Sequence, residues 1–106
     1  MSGPSSGTPS PGEAPADASA ELVVGGEHGL HMRPAADFVR LASRFRSDLR
    51  LSNATRGKGR EANARSLLEI TALGIDSGHT IRLTARGEDA EQAVSELSDL
   101  VRSFGA

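Results

Sequence analysis

Gly29-Leu30-His31-Met32-Arg33-Pro34-Ala35-Ala36 sets an imidazole, a guanidinium two residues on and then a proline directly ahead of an amphipathic run. Proline has a fixed φ and no N–H, so it is at home in the first turn of a helix. That places His31 at or just before a helix N-terminus. Unpaired backbone N–H groups and the positive end of the macrodipole favour anions there, phosphate in particular. A nucleophilic side chain with an arginine beside it at such a position points to phosphate chemistry. From Ala35 the apolar residues fall at 35, 38, 39, 42 and 45, which is the spacing of a helix with one buried face.

Upstream, Glu21-Leu22-Val23-Val24 is a short β-type run closed by Gly25-Gly26. Residues 1–20 are almost wholly Gly, Ser, Pro, Ala, Thr and acids. They cannot bury enough apolar surface to offset the cost of ordering the chain, so a disordered tail is expected, followed by one domain over 21–106. Downstream, Asp48-Leu49-Arg50-Leu51-Ser52-Asn53 alternates with period two, as a half-buried strand does. Arg56-Gly57-Lys58-Gly59 reads as a turn, and Arg60-Glu61-Ala62-Asn63 as a short returning strand. Ser66-Leu67-Leu68-Glu69 has the form of a capping box opening a short helix that Gly74 stops. Asp76-Ser77-Gly78 is a turn. Thr80 to Arg86 alternates, with Ile81, Leu83 and Ala85 on one face. The last helix opens with Glu88-Asp89 and carries its apolar stripe at 90, 93, 94, 97, 100, 101 and 104.

The order β-α-β-β-α-β-α, with every element apolar on one side, is most economically an α+β open-faced sandwich: a four-stranded antiparallel sheet with three helices on one face. The other face is expected to be wet.

Composition narrows the function. The chain has 106 residues, no Cys, Trp or Tyr and three Phe. It therefore has no disulfide framework and no thiol nucleophile, and its three histidines show no spacing that would make a metal site. A net charge of −2 argues against general affinity for nucleic acid or an anionic membrane. Phe38 and Phe45 fall on the core stripe and offer no stacking platform for bases. Arg56-Gly57-Lys58-Gly59 lacks the spacing of a nucleotide loop. The charge is uneven: residues 28–65 hold nine Arg or Lys against three acids, and residues 66–106 hold three against seven. A basic half containing His31 suits an acidic partner surface. No run is long enough to span a membrane and no secretory signal is recognisable, so a cytoplasmic protein is expected.

Gly29-Leu30-His31-Met32-Arg33-Pro34-Ala35 resembles the phosphorylation-site motif of HPr, the histidine phosphocarrier of the bacterial phosphoenolpyruvate-dependent sugar phosphotransferase system. Ala64-Arg65-Ser66-Leu67-Leu68 with Leu73-Gly74-Ile75 resembles the regulatory-serine segment of that family. Ile81 to Ala90 is similar to its last strand and the entry to its last helix. The resemblance covers roughly residues 21–104. It implies that His31 takes a phosphoryl group on Nδ1 from enzyme I and passes it to enzyme IIA components, with Arg33 steadying the phosphate. The protein would then be a carrier with a transient phosphohistidine and no cofactor, not a turnover enzyme, and a monomer.

The resemblance also implies that Ser66 is a target of HPr kinase/phosphorylase where the host has that enzyme; a simple N-cap role is the alternative. Leu67, Leu68 and Ile70 cannot all face the core from so short a helix, and the docking patch of the family lies around it, so these three are the candidate partner-binding residues. Thr71 stands where the family more often has Met or Leu, and His28 where it often has Asn. His79, at a strand start, reads as a surface residue. Two rival readings remain: a regulatory paralogue of the nitrogen-branch type, and a non-catalytic interaction module that uses Ser66 and the Leu67–Leu68 patch.

Overall fold

The computed structural model describes residues 16–26, 29–30, 32–56 and 60–104. Seven elements follow in the order β1 (Ala18–Val23), α1 (Met32–Ala42), β2 (Asp48–Asn53), β3 (Ala62–Asn63), α2 (Leu67–Ala72), β4 (Thr80–Arg86) and α3 (Ala90–Ser103). The strands form one sheet in the order β1-β4-β2-β3, every neighbouring pair antiparallel.

The register explains the core. Ala18 faces Ala85 and Ala85 faces Leu49; Ala20 faces Leu83, which faces Leu51, which faces Ala62. Leu22 faces Ile81, which faces Asn53. Because strand side chains alternate with period two, these rows lie on one face. α1 closes over that face with Ala35, Phe38 and Ala42, α2 with Ile70, and α3 with Ala90, Ala93, Val94, Leu97 and Val101. Ser19, Glu21 and Val23 on β1 and Arg82 on β4 point the other way and are exposed. This is the α+β open-faced sandwich expected. Thr84, on the same open side at the middle of the sheet, is nonetheless buried.

Two boundaries differ from expectation, and the start of α1 agrees with it. β1 begins at Ala18, so residues 18–20 belong to the sheet and not to a tail. Their side chains are too short to signal a strand, yet they complete the inner rows against Ala85 and Leu83. Residues 1–15 lie outside the described residues. β3 is reduced to Ala62 and Asn63, paired with Leu51 and Arg50, and the expected turn at 57–59 lies outside the described residues. α1 begins at Met32, three residues before the apolar stripe, and Pro34 stands in its first turn.

Candidate functional site

His31 is the residue immediately before α1 in the sequence; it and His28 lie outside the described residues. Gly29 has φ 64°, and a Cβ there would stand 2.6 Å from both the Ile75 carbonyl oxygen and Asp76 Cα. The residue must therefore be glycine on two counts: the left-handed backbone and the lack of room. Leu30 follows as a buried side chain, and its N–H donates to the Ile75 carbonyl at 3.1 Å. Across from α1, the loop after α2 thus fixes the approach to His31.

That loop holds both ends of the segment. On the incoming side, Gly78 N–H donates to Val24 O at 2.8 Å, Val24 N–H donates to His79 O at 2.9 Å, and Ser77 Oγ donates to Gly26 O at 2.5 Å. On the outgoing side come the Leu30–Ile75 bond and the Gly29 contact. The loop itself is a β-turn closed by His79 N–H on Asp76 O at 3.0 Å, with Gly78 at φ 90° in the third position, where a positive φ calls for glycine.

Arg33 is exposed in the first turn of α1, beside Met32, which is 63% exposed. Pro34 is half-buried and Ala35 buried, so the helix is seated from its first turn. A groove lined by Leu30, Met32, Thr71, Gly74, Ile75 and Asp76 runs between the start of α1 and the end of α2. The sequence places Leu30 and Met32 in the motif itself and Thr71 by the docking patch; Ile75 and Asp76 hold the segment through backbone atoms, which leave no side-chain signature. Thr71 Oγ1 donates to Leu67 O at 2.9 Å and to Leu68 O at 3.1 Å, so its hydroxyl is spent within its own helix.

α2 sorts the three candidate docking residues. Leu68 is 80% exposed and Leu67 half-buried, whereas Ile70 is fully buried. Ile70 is therefore corrected from a partner-binding residue to a core residue: on a helix of six residues one face must cover the sheet, and Ile70 is on it. Ser66 caps the helix as expected, its Oγ accepting from Glu69 N–H at 3.2 Å. The box is not reciprocal, however. Glu69 Oε1 accepts from Asn63 N–H at 2.9 Å, and Ser66 N–H donates to Asn63 O at 2.9 Å, so the glutamate ties α2 to β3 and not to its own cap.

Among the described residues no three metal-ligating side chains gather, and no helix is long and apolar enough to cross a membrane.

Residues 18–103 match the family described as "PTS HPr component phosphorylation site". The multiphosphoryl transfer protein of Salmonella typhimurium is 47% identical over 83 residues, covering 78% of this chain and 22% of that protein. The phosphocarrier protein HPr of Buchnera aphidicola subsp. Schizaphis graminum is 41% identical over 81 residues, covering 76% of this chain and 91% of that protein. The crystal structure of HPr-C-His from Thermoanaerobacter tengcongensis superposes with a TM-score of 0.75 at 36% identity, covering 84% of this chain and 97% of that one. Fold and sequence together define an HPr-type α+β domain. The chain belongs to the HPr family. It spans about a fifth of the length of the multiphosphoryl transfer proteins it matches.

Proposed function

We propose that this domain carries phosphate on His31, taking it from phospho-enzyme I and giving it to enzyme IIA components in the cytoplasm. The observation that carries the reading is the anchored entry to α1: Gly29 and Leu30 are fixed on the Ile75–Asp76 backbone, and the helix opens at the next residue after His31. A neutral imidazole is a competent nucleophile near neutral pH. The lone pair of Nδ1 attacks phosphorus, the nitrogen–phosphorus bond on enzyme I breaks, and the donor histidine leaves with the electron pair. First-turn N–H groups of α1 and the Arg33 guanidinium spread the charge of the loose transition state. Arginine suits this role because its fork meets two phosphate oxygens at once. The protein acts as a substrate of enzyme I and as a monomer, and needs no cofactor.

Exposed Met32 and Leu68, with half-buried Leu67, supply an apolar surface around the site for successive partners. Ser66 is the candidate for modification by an HPr kinase/phosphorylase. A phosphate at this N-cap would meet the favourable end of α2 and place negative charge on the face that approaches enzyme I.

Incubation with phosphoenolpyruvate and enzyme I tests the reading. An acid-labile phosphate should appear on the wild type and be lost in His31→Ala; no label on the wild type with a competent enzyme I would refute it.

A further inference from the structure

His79 ends the turn that follows Ile75, whose carbonyl takes the Leu30 N–H. Its Nδ1 lies 3.0 Å from Asn53 Nδ2 and 3.0 Å from the Asp76 N–H. The roles are fixed by the partners. Asn53 Oδ1 accepts from the N–H groups of Thr55 and Arg56, both at 3.1 Å, so the amide nitrogen is the atom turned to the imidazole. Asn53 Nδ2 is a donor, and the Asp76 N–H can only be a donor; Nδ1 must therefore be an acceptor, with the ring proton on Nε2.

Through these bonds the imidazole joins three pieces of backbone. Asn53 is buried at the end of β2, on the inner face of the sheet, and Nδ2 also approaches Leu73 O, at the C-cap of α2, at 3.4 Å. Asp76 begins the turn that carries Gly29 and Leu30, and His79 ends it. Asp76 and His79 are thus bonded twice, by His79 N–H on Asp76 O and by Asp76 N–H on His79 Nδ1. Without the imidazole the turn keeps the His79 N–H bond to Asp76 O across itself and loses its side-chain link to Asn53.

We propose that His79 is a positioning residue for phosphoryl transfer: its Nδ1 fixes the 75–79 turn, and the turn fixes the Gly29–Leu30 entry to His31. This rests on the carrier reading above. In this role His79 acts through the backbone that holds Gly29 and Leu30, and misplacing a reacting group by about 1 Å can cost on the order of a hundredfold in rate.

The test compares His79→Leu, which removes the acceptor, with His79→Asn, whose Oδ1 can stand where Nδ1 stood. Phosphorylation of the full chain by phospho-enzyme I should show kcat reduced about tenfold in His79→Leu with KM little changed, because the apolar surface is untouched, and kcat should return to within about twofold of wild type in His79→Asn. Amide hydrogen exchange should quicken at Leu30 and Asp76 in His79→Leu while Leu22 and Leu83 stay protected. Wild-type kcat in His79→Leu, or an equal loss in both variants, would overturn the proposal.

Two readouts do not depend on transfer, so they separate this proposal from the carrier reading. If the wild type took no phosphate, Leu30 exchange would still decide whether His79 fixes the segment. If His79→Leu failed to fold, nitrogen NMR of the wild-type imidazole would decide: a bare Nδ1 with a protonated Nε2 supports the assignment, and a protonated Nδ1 contradicts it.

Discussion

Each end of the sheet is closed by a polar lock, and the two are built differently. At one end, the Asp89 carboxylate accepts from Arg46 N–H at 2.8 Å, from Ser47 N–H at 2.9 Å and from Ser47 Oγ, while the Arg65 guanidinium donates to the carbonyls of Ser47, at 2.9 Å, and Phe45. Gly87 is the close-approach residue, since a Cβ there would stand 2.6 Å from Ser47 Oγ. At the other end, Asn53 and His79 do the same work with neutral groups. The charged lock ties the loop after α1 to the start of α3. The neutral one lies behind the approach to His31. The carboxylate of the charged lock makes its bonds strong and pH-dependent.

The largest effect is expected at the site end. Gly29→Ala would combine a left-handed backbone with a contact against Asp76 that cannot give way, so the segment must move. Stability should fall by about 2–3 kcal/mol in denaturant unfolding and phosphoryl transfer by more than tenfold. A folded Gly29→Ala with normal transfer would show that the entry to α1 is not held as described.

The next effect breaks the charged lock. Hydrogen bonds from Ser47 and Arg46 hold the Asp89 carboxyl below the ordinary aspartate range. A lowered folded-state pKa contributes stability that is present above the unfolded pKa and lost as pH falls through the folded one. Tm should therefore be steady near neutrality and drop in strong acid, whereas Asp89→Asn should begin lower and show a shallower acid slope. Phosphoryl transfer at neutral pH should survive in this variant, which sets it apart from changes at the other end.

Asn53→Ala should cost about 2 kcal/mol, because it strips partners from two turn N–H groups and from His79 at a buried position. Unlike Asp89→Asn, it should also slow transfer. Ser66→Ala should cost about 1 kcal/mol, the usual worth of an N-cap, with transfer near normal.

The contrast also explains what could be read from the sequence. Period-two and helical spacing revealed β2, β4, α1 and α3 with the correct buried faces, since burial imposes those periods directly. The motif around His31 and the Ser66 cap were legible for the same reason: each is local. What escaped was non-local. Ala18 and Ala20 join the sheet only because β4 lies beside them. Glu69 has the sequence position of a capping-box partner, but its carboxylate takes the Asn63 N–H, which only the fold brings within reach. His79 looked like a surface residue because its partners, Asn53 and the Asp76 amide, come together only in three dimensions. Ile70 was separated from Leu68 by the packing of a helix too short to show a period of its own.

The central claim is that one histidine of three carries the phosphoryl group. Nitrogen and phosphorus NMR on the imidazole-labelled full chain, after charging with phosphoenolpyruvate and enzyme I, tests it most directly. The account predicts a single phosphohistidine, bonded at Nδ1 of His31, with His28 and His79 unmodified. Phosphate on either of those residues, or on Ser66 with none on His31, would contradict it.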